Sequence, residues 1–201
     1  PNYKGLSLLK GDVLSLPKSQ KYTLPRIGWA ESKINFNFLG LKKLEQIMIA
    51  PLNGIRVLDM SRILAGPWAG QILADLGAEV IKIERPSVGD DTRRWGPPYM
   101  QEDDGNETKE SAYYLSANRG KESVTVDITS KRGQEIIREL AAKSDILLEN
   151  YKCGGLQKYG LDYDSLKNVN PGLIYCSITG FGHTGPYKQR AGYDFMIQGM
   201  G

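Results

Sequence analysis

The sequence is poor in the residues that build metal and disulfide sites. Its 201 residues include two cysteines and a single histidine. Cys153 and Cys176 form no spacing motif, and one His cannot complete a zinc set, so no metal is expected. Two reduced thiols in an intracellular compartment are the simplest reading. No apolar run approaches the roughly 20 residues that span a bilayer, so no membrane partner is expected. The formal charge of +3 is too small to argue for nucleic acid. Neither G-x-S-x-G nor G-x-x-x-x-G-K-[ST] occurs, which removes the serine-hydrolase elbow and the NTPase phosphate loop.

What is present is an ordinary globular composition, 40% hydrophobic and 24% charged, enough for a sizeable core and one or two domains. The charge is uneven. Residues 1–50 carry eight Lys/Arg against three acids, and the remainder is net negative. That leader, residues 1–50, reads as irregular apart from a short helix over Asn37–Ala50, and it lacks the Arg/Ser-rich amphipathic character of a transit peptide. The first residue is Pro, which predicts a processed chain or a fragment.

From Pro51 the pattern changes. "IRVLDM" (Ile55–Met60) is a branched apolar run, the pattern of a buried strand. "WAGQILADLG" (Trp68–Gly77) puts Ile72, Leu73 and Leu76 on one helical face and ends on Gly. "EVIKIE" (Glu79–Glu84) is the next strand, so the three make a βαβ unit with a right-handed crossover. Glu84–Pro98 reads as loop, and the acidic Met100–Glu110 as an exposed segment. Glu122–Ile128 alternates as a strand. Ser130–Ser144 predicts the clearest helix, capped by Ser130 with Ile136, Ile137 and Leu140 inward. Strands follow at Asp145–Asn150 and Leu173–Thr179 around a short helix within Asp162–Gly172, and a further helix begins near Asp194. This alternation predicts an α/β fold with a doubly wound, Rossmann-like parallel sheet.

Ligands of such sheets bind beyond the carboxyl ends of the strands. Five segments are expected there: Ser61–Pro67, Arg85–Arg94, Glu149–Gly155, Gly180–Gly185 and Ser116–Lys121. They bring Arg62, Arg85, Arg93, Arg94, Arg119, Lys121, Asn150 and Lys158, a set suited to an anionic ligand such as phosphate. Solvated loop charge is the alternative, and residues alone leave both open. In "SRILAGPWAG" the small residues of Ala65–Pro67 permit close backbone approach, and the amides near Leu64 and Ala65 can face a ligand. A tight turn with no ligand is the other reading. His183 has no orienting partner visible in sequence and reads as an ordinary loop histidine. Asp59 and Asp194 are as compatible with structural as with catalytic roles. G-x-G-x-x-G reads as absent and no acid as placed for a ribose, which disfavours an NAD-dependent dehydrogenase.

"PLNGIRVLDMSRILAGPWAGQILADLGAEVIKIERPSVGDDTRRWGPP", "NRGKESVTVDI" and "LLENYKCGGLQKYGLDYDSLKNVNPGLIYCSITGFGHTGPYKQRAGYD" occur in this order. Residues 51–201 so resemble the family III CoA-transferases, and "YYLSANRGK" and "YCSITGFGHTGP" are most similar to the glutarate branch. The resemblance implies an incomplete large domain of a two-domain, intertwined homodimer. It implies coenzyme A as acyl-CoA substrate, with a carboxylic acid as acceptor, and a mitochondrial location. Carried over by position, coenzyme A is expected at the backbone of Ile63, Leu64 and Ala65 and at Arg85. Asn118, Arg119, Lys121, Asn150, Lys158 and Tyr193 complete the expected binding set. The family nucleophile, an aspartate that forms an acyl anhydride, is expected after Gly201, so no catalytic residue is assigned within this chain. A catalytically inert CoA-binding module is the alternative. An α-methylacyl-CoA racemase is disfavoured because Tyr193 stands where that group resembles a His.

Overall fold

The computed structural model describes residues 50–201. The short helix expected to end at Ala50 and the irregular leader fall, Ala50 apart, outside the described residues. The two apolar runs at the start become parallel neighbours, β1 (Arg56–Asp59) and β2 (Glu79–Glu84), with Leu58 opposite Ile81. Between them α1 (Ala65–Asp75) begins earlier than its apolar periodicity suggests. Pro67 fits the first turn, where its missing N–H is not needed.

The acidic segment expected to be exposed is largely so, and it also pairs as a small antiparallel hairpin, β3 (Tyr99–Gln101) and β4 (Glu107–Ser111), which runs into α2 (Ala112–Asn118). Its polar composition hides the pairing, which needs few apolar side chains at the surface. β5 (Lys121–Thr125), α3 (Lys131–Ala141), β6 (Ile146–Glu149), α4 (Tyr163–Leu166) and β7 (Ile174–Ser177) follow as the alternation predicted. Ser130 Oγ accepts the Gly133 N–H at 3.0 Å and caps α3.

The five parallel strands lie in the order β5-β2-β1-β6-β7. Counted along the chain this is 3-2-1-4-5, the doubly wound order, and it reverses direction between β1 and β6. Strand residues alternate between two cores. Leu58, Ile81 and Leu147 pack with Ile136, Ile137 and Ala141 of α3, while Val57, Val80 and Leu148 pack with Ala69, Leu73 and Ala74 of α1. Leu156, Leu161, Leu166 and Leu173 pin the long β6–β7 connection onto the first core.

Some apolar surface is left open. Trp68, Ile72 and Leu76 form an exposed stripe along α1, and in α5 (Asp194–Met200) no residue is buried. The fold itself rests on the sheet and α3. Ile137 is fully buried in the larger core. Ile137→Ala should therefore lower the unfolding free energy by about 2–5 kcal/mol, read as a lower urea midpoint at unchanged slope.

Candidate functional site

Between the loops leaving β1 and β6, where the strand order reverses, lies the position at which open α/β sheets form their ligand crevice. Both sides are tied together by Asn150, just past β6. Its Oδ1 accepts the Arg62 N–H at 2.8 Å and its Nδ2 donates to the Arg62 carbonyl at 2.7 Å. The turn Ser61–Leu64 is thereby gripped from one flank.

From below it is held by buried charge. Asp59, Lys82 and Glu84 alternate along β1 and β2 and so share the α1–α2 face. Lys82 is fully buried; its Nζ donates to the Ser61 carbonyl and pairs with Asp90, both at 3.0 Å. Asp90 also accepts the Thr92 N–H at 3.0 Å and the Ile63 N–H at 3.2 Å. Ile63 has φ +71°, a left-handed conformation costly for a β-branched residue, and the Asp90 contact holds it there. Asp59 accepts the Ser61 N–H at 3.0 Å and the Ser61 hydroxyl, and it pairs with Lys121 at 2.8 Å. Burial lowers the Lys121 pKa, against the raising effect of Asp59.

The consequence lies at the head of α1. Leu64, its N-cap, offers no side-chain cap, and the N–H groups of Leu64, Ala65 and Gly66 have no acceptor among the described residues. Unpaired N–H groups at a helix N-terminus are donors of the kind that bind anions. Gly66 is required for close packing, because a Cβ there would collide with the Ser61 side chain. Beside the amides stand two guanidiniums. Arg85 pairs with Asp91, and Arg62 lies 3.7 Å from the same carboxylate and 5.1 Å from the Tyr151 ring centroid. The buried Arg62 Nε has no hydrogen-bond partner.

The expected site residues therefore divide. Leu64, Ala65, Arg85 and Asn150 gather at the crevice. Ile63 is there too, but its N–H points into the protein, at Asp90. Lys121 sits beneath the turn; its ammonium is spent on Asp59, on the Pro67 carbonyl at 2.6 Å and on Asn118 Oδ1 at 3.0 Å. Asn118 is buried with it. Arg119 pairs with Asp75 in the last turn of α1, about 15 Å along the helix axis from Ala65. The backbone of Ser116–Lys121 enters β5 from the amino ends of the strands, yet Ser116, Ala117 and Arg119 share a cleft with Leu64, Trp68 and Gln71 beside the head of α1. β5 runs parallel to β2, so the residues before it lie at the opposite edge of the sheet. Lys158 is exposed over the Tyr159 ring at 4.8 Å, and Tyr193 is 73% exposed at the start of α5.

Two points of the sequence reading on dinucleotides need correction. Gly180, Gly182 and Gly185 do have G-x-G-x-x-G spacing, but they follow β7, and no helix opens before Asp194. The phosphate role needs that spacing at a strand–helix turn. An acid does end β2: Glu84. Its oxygens are buried and taken by Arg93 at 2.7 Å, Tyr114 at 2.8 Å and Ser123 at 2.6 Å, which leaves none for a ribose. Sequence reading also missed Lys82 and Asp90 as the turn's supports. The available signal was a lysine inside the apolar run "EVIKIE". His183, read as an ordinary loop residue, has partners as well: Cys153 Sγ at 3.3 Å and Ser177 Oγ at 2.8 Å.

Sheet order and open amides together define a doubly wound α/β protein with unpaired backbone donors at its switch point. The CoA-transferase family III model matches residues 52–201, and the chain belongs to that family. The succinate–glutarate CoA-transferase of Agrobacterium fabrum is 57% identical over 150 residues, covering 75% of this chain and 37% of that protein. The human succinyl-CoA:glutarate CoA-transferase is 54% identical over 73% of this chain and 32% of its own length. The chain thus spans about a third of the curated relatives it matches. A CaiB/BaiF family structure from Brucella suis is 61% identical, covers 75% of this chain and 39% of its own, and superposes with TM-score 0.70.

Two outcomes follow from the buried charge and the close packing. Burial alone would raise the Glu84 carboxyl, but the Arg93 hydrogen bond and charge, with Ser123 and Tyr114, outweigh it and lower its pKa to about 2. A carboxylate depressed in the folded state stabilises the fold above its ordinary value of 4.5, and that contribution is lost as the pH falls toward 2. Urea unfolding at stepped acidic pH should show this loss, and Glu84→Gln should flatten it while destabilising the protein at neutral pH, where Arg93 keeps Glu110 but loses its buried carboxylate partner. Gly66→Ala should displace Ser61 and cost about 1–3 kcal/mol in the same assay, although alanine is the better helix former.

Proposed function

We propose that this chain is the coenzyme A-binding part, residues 51–201, of an enzyme that moves coenzyme A between succinyl-CoA and a dicarboxylic acid such as glutarate. The observation that carries the reading is the set of open amides at Leu64, Ala65 and Gly66, fixed at the switch point and flanked by Arg62 and Arg85. Backbone donors and two guanidiniums suit the phosphates of the carrier, and neither needs a dinucleotide fingerprint. The succinyl and glutaryl specificity rests on relatives of 57% and 54% identity that bear those names.

The chemistry implied is covalent acyl transfer. A carboxylate oxygen attacks the thioester carbonyl, the carbon–sulfur bond breaks, and an anhydride and a thiolate result. The acceptor carboxylate then takes over the activated group. The carboxylate that performs the attack is expected after Gly201, and no residue of this chain is given that step. What this chain supplies is binding and orientation, with amides that require no rearrangement when the charge arrives. Lys121 and Asn118 serve by holding the turn, and Lys158 and Tyr193 remain candidates for contact at the rim. The exposed stripe Trp68, Ile72 and Leu76 and the unburied α5 support the intertwined homodimer expected of the family.

Isothermal calorimetry of the folded chain with coenzyme A is the direct test. Binding should appear with the free coenzyme, and Arg85→Ala should weaken it about tenfold, the loss expected for one charge-assisted hydrogen bond. Asp91→Asn should not weaken it, because that change releases both guanidiniums. No heat with coenzyme A or its thioesters would overturn the reading.

A further inference from the structure

The β6 and β7 ends carry a second group of reactive side chains that the coenzyme reading does not use. Cys153 lies in the loop after β6, Ser177 ends β7, and His183 lies in the glycine-rich loop that follows. His183 joins them: Nδ1 is 3.3 Å from the Cys153 sulfur and Nε2 is 2.8 Å from Ser177 Oγ. A ring whose Nε2–H donates to Ser177 presents an unprotonated Nδ1 to the thiol. This is the arrangement of nucleophile, base and orienting group that activates a cysteine. It does not fill a core. His183 and Ser177 line an open cleft of about 590 Å³, with Lys152, Gly154 and Tyr175 on its walls.

We propose that Cys153 is a nucleophilic thiol, with His183 as its base, that accepts acyl groups from thioesters. The choice of thioester rests on the coenzyme reading above. Cys153 is three residues past Asn150, the residue that grips the anion turn, and so its Cα lies within about 11 Å of Asn150 along the chain. In the step, the thiol proton passes to His183 Nδ1 as sulfur bonds to the thioester carbonyl carbon. Collapse of the adduct breaks the donor's carbon–sulfur bond, and the departing sulfur takes the proton from His183. The products are S-acyl-Cys153 and a free thiol, with no oxidant or metal consumed.

Cys176 is the internal standard, since it is exposed whereas Cys153 is half-buried. Under limiting iodoacetamide, with peptide mass spectrometry of the full chain, Cys153 should label at least about tenfold faster than Cys176, as general-base assistance requires. His183→Gln should abolish that advantage, and Ser177→Ala should reduce it. If His183→Gln unfolds the sheet, seen as loss of the native circular dichroism spectrum, the ratio in the unmodified protein decides. A Cys153 rate no greater than that of Cys176, or one unmoved by His183→Gln in a folded protein, overturns the site. A second arm offers succinyl-CoA and S-succinyl-N-acetylcysteamine, and both should leave a succinyl group on Cys153. An adduct from the small thioester alone retains the thiol site and counts against coenzyme binding. An adduct from neither overturns acyl acceptance, whatever calorimetry shows for coenzyme A.

Discussion

The arrangement of the crevice depends on one buried cation. Lys82 sits in the middle of the sheet with no exposure to water, bonded to Asp90 and to the Ser61 carbonyl. Removing an ammonium and a carboxylate from water costs several kcal/mol each, and attraction between them offsets this only when their remaining donors and acceptors are satisfied. Here they are satisfied by the turn. Asp90 holds the Ile63 and Thr92 amides, and Lys82 holds the Ser61 carbonyl. The ion pair and the turn therefore stabilise each other, alongside the grip of Asn150 and Asp59 on the same residues.

This explains how the turn Ser61–Leu64 itself contains no glycine, although Gly66 follows at the head of α1. In a dinucleotide fold, glycines allow the backbone its tight path toward a phosphate. In this chain the tight path runs through Ile63 at positive φ, and the strain is borne by a carboxylate from the loop after β2. The left-handed residue turns its own amide inward, so the amides that remain open are those of the next three residues. A side-chain network thus does for this turn what sequence does for the glycine fingerprint. The strand order is shared between the two solutions, and the chemistry of the turn is not.

That division accounts for what could be read in advance. β1, β2, α3 and β6 were legible because each buries apolar side chains, whereas β7, an edge strand with Ile174 exposed, was legible from its apolar composition alone. The hairpin β3–β4 and α2 were not, since "MQEDDGNETKE" carries no such period and its pairing depends on backbone bonds. At the site, Leu64, Ala65, Arg85 and Asn150 were legible through their place after strands. Lys121 and Arg119 were assigned to the crest because their segment looks like a basic loop. Only the parallel register of β5 with β2 shows that it enters from the far edge. The Cys153–His183 pair spans thirty residues of sequence, and no local pattern announces a contact made by two loops leaving adjacent strands.

Asp91 decides how the crevice treats an incoming anion. It lies between Arg62 and Arg85 and partly neutralises both. A phosphate entering there does not meet two free cations; it competes with a carboxylate already in place. Its net gain is the difference between the two sets of bonds, enlarged by the open amides, which Asp91 does not occupy. Release of Asp91 into water recovers hydration that the pairing had restricted. The exchange therefore favours a ligand that reaches the amides and the guanidiniums together, and it gives little to a small anion that meets the arginines alone. Under the proposed coenzyme reading, a polyphosphate carrier satisfies that condition by its length, and selection of an extended ligand then requires no contact with a base.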